Sequence, residues 1–201
     1  QDARGAAIQA DLTRVDLGSI SPELRGSVTG QVALRGAGSD LSGTANIALQ
    51  NVRSIDAPRG LAVDGRVDAT LAGDRLSIKA TAVDEGAVQA SADVVLPVEA
   101  SAAPLRLAIA RTREMSGRVS INGQIQPIWD LFLGGERTLA GQVNGRATLA
   151  GSIAEPRING RLDVQQGSFR DNATGLQLRD VTLASRFDDT TAMVESFSAT
   201  D

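Results

Sequence analysis

The sequence contains no cysteine and no histidine. These absences exclude disulfide bonds, thiol nucleophiles, a histidine general base and the usual zinc ligand sets. Ser116, Ser152 and Ser168 therefore have no histidine to activate them, and a serine–lysine pair would need Lys79, the one lysine of the chain. Lys79 stands in an alternating run, which is typical of a solvent-facing strand position. The composition predicts a protein that is not an enzyme, with no catalytic residue, no metal site and no cofactor.

Aromatic residues are scarce, at 2% of the chain, and tyrosine is absent. Because aromatic side chains normally supply much of the buried area of a compact core, a core made of Ala, Val, Leu and Ile is expected to be shallow and spread along a sheet. No apolar run approaches the roughly 18 residues of a membrane span. The residues after Gln1 show no signal-peptide pattern, so neither a span nor a signal peptide is predicted here.

Excess positive charge is also missing, since the formal net charge is -4. Nucleic-acid binding normally needs a basic patch, so no nucleic-acid partner is expected. Arginines such as Arg66, Arg118, Arg146 and Arg161 are spread singly over strand-like runs. That distribution is typical of a solvated face.

One pattern is present twice. Residues 24–36 and 139–151 both read as leucine followed by a glycine or an aliphatic residue at every second position, 115 positions apart (139 minus 24). At the same offset Gly60 and Val63 fall on Gly175 and Leu178. Apolar residues with a period of two indicate a strand with one buried face. The sequence predicts one elongated domain over residues 1–201, built from two repeat units at about 6–125 and 136–201.

Alternation of this kind runs through most of the chain and predicts about a dozen strands. Turn clusters at 18–22, Pro58-Arg-Gly60 and Gly73-Asp74 separate some of them, and Pro97 is expected to close another. The acidic pairs Asp84-Glu85 and Asp188-Asp189 could in principle serve in glycoside cleavage. Both stand between alternating runs, which favours polar turns over a catalytic pair.

The period changes at residues 127–133, which contain the single Trp and end on two glycines. Proline at a first helical position followed by apolar residues predicts one short helix. It is interpreted as an apolar cap over the sheet, as a plug or as a boundary between the two copies, with a specific partner-binding role as the alternative.

The apolar positions of the alternating runs are the candidates for a lipid-binding groove. They are Val28, Val32, Leu34, Ile47, Leu49, Val67, Leu71, Ile78, Leu107, Ile109, Val119, Ile121, Val143, Leu149, Leu162, Val164, Leu178, Val181 and Leu183. These side chains could pack against one another in an ordinary sandwich or β-helix core. They could also line a groove that stays open for an apolar ligand. Physical pattern alone favours the filled core.

The repeated glycine pattern, with further stretches in the same order, resembles the C-terminal domain of TamB-like proteins, in the AsmA-like group of the bacterial envelope. The further stretches are Pro22–Gly30, Leu96-Pro97, Ile125–Leu131, the strand at Gly160 after Glu155-Pro156-Arg157, and Thr174–Val181. The resemblance covers nearly the whole chain. It implies an all-β fold, in which an elongated, curled sheet forms a taco-like trough with an apolar interior.

The resemblance also implies a function and a location. It implies a periplasm-spanning envelope protein, anchored in the inner membrane by an N-terminal segment without a counterpart here, of which this chain is a fragment. Such a protein would conduct phospholipid between the inner and outer membranes, with the acyl chains in the groove. The alternative is a scaffold for outer-membrane barrel assembly, with a TamA- or BamA-type partner bound through regions outside this fragment. With the resemblance included, the open groove is favoured over the filled core.

Overall fold

The computed structural model describes residues 5–56, 62–84, 88–133 and 135–201. The predicted turn at Pro58-Arg-Gly60, Glu85 of the first acidic pair and Gly134 after the predicted helix lie outside the described residues.

About three-quarters of the described chain is in strands. The strands are β1 Gly5–Asp16, β2 Leu24–Ala37, β3 Asp40–Ser54, β4 Val63–Ala72, β5 Arg75–Asp84, β6 Val88–Ala102, β7 Leu105–Ile109, β8 Ser116–Gln124, β9 Arg137–Gly151, β10 Pro156–Asp171, β11 Gln177–Asp188 and β12 Thr191–Thr200. A 3₁₀ turn covers Leu17–Ser19, and helix α1 covers Gln126–Leu133. The predicted helix is confirmed to within one residue, which is the usual uncertainty of a helix end.

These strands form one open antiparallel sheet in the order β1-β2-β3-β4-β5-β6-β8-β9-β10-β11-β12, while β7 pairs with β6 beside this path. Most sequential strands are neighbours, and short hairpin turns connect several of them, such as β2 with β3 and β4 with β5. The sheet does not close into a barrel, and the prediction of a curled all-β sheet is confirmed. No helix of the described ranges is long and apolar enough to cross a membrane.

The prediction that Pro97 closes a strand is wrong, because β6 continues through Pro97 to Ala102. The proline stands where β6 changes partner. Pairing with β8 ends at Val95 and pairing with β7 begins at Val98. On the side of β6 that pairs with β8 and β7, no continuous hydrogen-bond ladder runs past Pro97. The missing proline N–H therefore costs few ladder hydrogen bonds there.

The far half of β6 and β7 form a hairpin that folds over the turn between β2 and β3. The backbone N–H groups of Ala102 and Ala103 donate to the Gly38 carbonyl oxygen at 3.0 and 2.9 Å. A buried cluster forms beneath the hairpin from Leu41, Leu71, Val98 and Ala102. We call this side of the sheet the hairpin end.

A second buried cluster lies at the opposite strand ends, which we call the helix end. Leu17, Val28 and Val52 form it, and Leu131 of α1 packs against it. The core is therefore divided between the two ends of the strands. The middle of the sheet depends on small and branched aliphatic side chains, as the scarcity of aromatics predicts.

The hairpins β2–β3 and β9–β10 have the same register, whereas the pairing of β3 with β4 differs from that of β10 with β11. Val28 of β2 pairs with Leu49 of β3, and Val143 of β9 pairs with Val164 of β10, each 115 positions later. The equal register places Val28 and Val143 on the same face of the sheet. This agreement supports our proposal that the chain contains two copies of one β unit.

An apolar groove as the candidate functional site

The antiparallel register aligns apolar residues in rows that cross the sheet. The central row takes one residue from each strand of the main path: Leu12, Gly30, Ile47, Val67, Ala80, Ala92, Val119, Ala147, Gly160, Phe187 and Ala192. We call the face that carries this row the apolar face. Because side chains alternate along a strand, the adjacent positions form the opposite, polar face.

All but two of the predicted groove residues lie on the apolar face of this main sheet. The exceptions are Leu107 and Ile109, which belong to β7 beside the main path. They pair with Ala100 and Val98 at the hairpin end and are 49% and 47% exposed. They therefore lie on the rim of the sheet, away from its central row.

Some of the predicted groove residues are buried by the protein's own side chains. They are Val28, Leu71, Val143, Val164 and Val181. Val28 and Leu71 belong to the two core clusters at the opposite ends of the strands. These residues fill a core, as the filled-core interpretation has it. Fewer residues than the predicted set therefore remain to line an open groove.

A cavity of about 370 Å³ lies between the apolar face and helix α1. Its floor includes Leu49, Val67 and Val119 from the predicted set. A second, smaller depression of about 170 Å³ follows along β8 to β11, where Ile121 and Leu162 line it together with Val119. Val119 lines both, so the two apolar depressions adjoin and form one groove.

Helix α1 covers the larger cavity with Ile128, Leu131 and Phe132. An isolated helix of eight residues is not stable in water, so contacts with the sheet must hold it. Trp129 Nε1 donates to the Arg137 carbonyl oxygen at 3.0 Å, and Leu131 packs against the cluster at the helix end. Helix α1 therefore covers the groove, which is the arrangement expected of an apolar cap over the sheet.

Asp130 is the polar exception on this helix, with 5% of the residue exposed. Its one side-chain hydrogen bond among the described residues comes from Gln126 Nε2 at 3.4 Å. Removal of the carboxylate from water raises the pKa of Asp130, and the bond from Gln126 opposes this only in part. Because no described cationic side chain pairs with Asp130, its charged form destabilises the packing of α1 on the sheet.

Sequence reasoning missed the residues that cover the groove. Ile128, Leu131 and Phe132 are spaced i, i+3 and i+4, which places them on one side of a helix, and this signal was available. The small floor residues Ala82, Ala90 and Ala92 also line the cavity. They were missed because alanine in an alternating run does not by itself distinguish a groove floor from an exposed position.

Among the described residues no group of three or more acidic side chains lies close enough to hold a metal ion. Asp188 ends β11 and Asp189 lies in the turn to β12, where its Oδ1 accepts a hydrogen bond from Asn159 Nδ2 at 3.0 Å. This acidic pair belongs to a hairpin turn, as predicted. What the geometry offers is a surface for an apolar chain.

The family model of the TamB C-terminal domain matches residues 18–179. No curated protein and no solved structure matches the chain.

Proposed function

The chain belongs to the TamB C-terminal domain family, and from this premise we propose that it is a segment of a periplasmic conduit that carries phospholipid acyl chains. The family comprises non-enzymatic proteins of bacterial envelope biogenesis that work with TamA-type partners. In this proposal the parent protein is anchored in the inner membrane, and lipid travels along the groove toward the outer membrane.

The observation that carries the proposal is the central apolar row. It crosses every strand of the main path without a charged residue, and its middle part stays open as the groove beneath α1. A filled core would leave no such space between helix and sheet. An apolar chain is the ligand whose chemistry matches this lining.

Binding would come from the transfer of methylenes out of water. Each buried methylene contributes about 0.8 kcal/mol, so a fully buried 16-carbon chain would gain about 12 kcal/mol. Such a gain needs no head-group contact. It depends on the length of the strip and not on any single residue.

Movement follows from the same lack of specific contacts. Neighbouring positions along a row of Ala, Val, Leu and Ile have nearly equal affinity for a methylene, so a chain can slide without crossing a deep energy minimum. A single charge in the row would form a barrier, because an unpaired charge next to a buried acyl chain is costly.

A second candidate function, as a scaffold for barrel assembly, is favoured by the edge strand β7. Among the described residues β7 pairs with β6 alone. An edge strand can template the addition of another strand. Leu105, Leu107 and Ile109 on β7 are also exposed.

The first experiment is native mass spectrometry with lipid extraction on the purified protein. We expect phospholipid to copurify with the wild-type chain and to be largely lost from Val67→Asp, since Val67 lies on the groove floor. The matched control is Thr70→Asp, which adds the same charge to β4 on the polar face. That variant should keep its lipid.

The outcomes separate the two functions. Lipid that is lost from Val67→Asp and kept by Thr70→Asp, with both variants folded by circular dichroism, supports the conduit. A wild-type protein that copurifies without lipid but accelerates barrel insertion into liposomes would instead support the scaffold, and the conduit would be rejected.

A further inference from the structure

The polar face carries a row of arginines that the sequence does not reveal as a row. Arg146 of β9 pairs directly with Arg161 of β10, and Arg161 pairs directly with Arg186 of β11. The three side chains therefore project from adjacent strands on one side of the sheet, about 4.8 Å apart at the backbone. We call them the arginine row.

Like charges directly opposite each other on neighbouring strands are destabilising. The protein compensates for two of the three. Glu195 of β12 accepts from Arg161 Nη2 at 3.0 Å and lies 3.7 Å from Arg186 Nε. No described carboxylate lies within ion-pair distance of Arg146, so the row keeps an excess of positive charge in a chain whose net charge is -4.

The arginine row lies in concave surface. A groove of about 960 Å³ on β5 to β10 includes Arg146, Arg118, Lys79, Asp93 and three asparagines, and it is followed by one of about 440 Å³ that includes all three arginines of the row and Asp188, so the cationic side chains outnumber the two carboxylates. Both contain Arg146 and Asn159. The two grooves are therefore adjacent parts of one channel that crosses the strands.

The lining of this channel is rich in hydrogen-bond donors. Arg146 faces Ser120 on β8 as well as Arg161, and Asn144 and Asn122 stand beside them. A guanidinium group binds phosphate or carboxylate through paired N–H groups. Amides and hydroxyls add donors that a phosphate, with more acceptor oxygens than a carboxylate, can use more fully.

We propose that the arginine row and its channel form a binding site for an extended polyanion that carries phosphate groups. The ligand crosses the strands and places successive phosphates near Arg146, Arg161 and Arg186. Arg146 is the principal contact, because the other two already share Glu195. The site is on the opposite face from the acyl groove, so this inference does not depend on the proposed conduit.

Inorganic tripolyphosphate is the probe, with orthophosphate as the single-phosphate comparison, measured by isothermal titration calorimetry at low and at physiological ionic strength. Several phosphates on one chain should bind at least about tenfold more tightly than one. Arg146→Gln should weaken tripolyphosphate binding by roughly tenfold or more, since a charge-assisted hydrogen bond is lost. Added salt should weaken binding in the wild type.

Arg66→Gln is the matched control. Arg66 lies on the same polar face, but its neighbours across the strands are Ala48 and Thr81 and no other arginine. Its removal should leave tripolyphosphate affinity within about twofold of the wild type, since Arg66 does not line the channel and one exposed charge contributes little. Arg146→Gln should not lower the melting temperature, because it removes a like-charge contact with Arg161.

Three results would overturn the proposal. Tripolyphosphate that does not bind at low ionic strength would exclude the site. If Arg146→Gln and Arg66→Gln weaken tripolyphosphate binding equally, the binding comes from general charge attraction and not from a specific site. Poly-glutamate that binds as tightly as tripolyphosphate would show that phosphate is not the ligand class. Val67→Asp, in the acyl groove, should leave tripolyphosphate binding unchanged.

Discussion

Gly26 and Gly141, 115 positions apart in the two proposed repeat units, have the same unusual backbone conformation. Their φ angles are +131° and +134°, in the region that favours glycine. A Cβ on Gly26 would lie 2.7 Å from the Gln50 carbonyl oxygen, and one on Gly141 would lie 2.7 Å from Gly167 Cα. Each glycine faces a bulge in the next strand, where Asn51 or Gln166 also has a positive φ.

A substitution at Gly141 tests directly whether a side chain is excluded at this close approach. Gly141→Ala should lower the free energy of unfolding by about 1–3 kcal/mol, because it combines backbone strain with a steric clash. The control Gly38→Ala has a positive φ of 59° but nothing within 4 Å of the new methyl group. It should cost about 1 kcal/mol. Equal losses in urea denaturation would contradict the close-approach explanation.

A second residue-scale prediction concerns the cover of the groove. Phe132 and Leu133 are adjacent on α1 and 75% and 58% exposed, but Phe132 lines the cavity and Leu133 does not line it. Phe132→Ser should reduce the amount of copurified lipid, whereas Leu133→Ser should leave it unchanged. Both should change the melting temperature little, since both side chains are mostly exposed. Equal lipid losses would indicate a general effect of helix hydrophobicity.

At the scale of elements, α1 is held on the sheet by a few contacts and carries a buried carboxylate. The raised pKa of Asp130 means that the folded state binds the proton more tightly than the unfolded state. The stabilisation from the protonated group is complete below the ordinary aspartate pKa of about 3.9 and is lost as the pH rises through the folded-state value. At neutral pH the charged form therefore opposes the docking of the helix.

Asp130→Asn should thus raise the melting temperature at pH 7, because it keeps the shape of the side chain and removes the buried charge. The advantage should shrink as the pH falls and disappear below about pH 3, where Asp130 is neutral in both the folded and the unfolded state. Thermal denaturation of both proteins across this pH range measures it. A gain that is equal at all pH values would assign the effect to packing and not to charge.

For the whole molecule, the proposed conduit makes the apolar row one path through both proposed repeat units. In the full-length parent, Val67→Asp in the first unit and Leu162→Asp in the second should each slow lipid transfer between membranes. Because the two barriers lie in series, the double variant should be little slower than the slower single variant. A silent Leu162→Asp, with the protein still folded, would restrict the path to the first unit.

The strand character, the approximate strand number, the helix and the face of most apolar residues could all be predicted from the sequence. A period of two assigns side chains to faces wherever no bulge intervenes, and the change of period at Pro127 marks α1. The repeated pattern of residues 24–36 and 139–151, together with the further stretches in the same order, pointed to the family that the family model shows. Each of these signals is local, or is repeated in identical order, and therefore can be read from one chain.

Tertiary structure decided which apolar residues line open space and which fill a core. Val28 and Val67 have the same alternating signal, but Val28 is buried at the helix end and Val67 lies on the groove floor. The difference arises from where α1 and the hairpin of β6 and β7 fold over the sheet. The arginine row likewise exists only after β9, β10 and β11 pair, because register brings together residues that are far apart in the sequence.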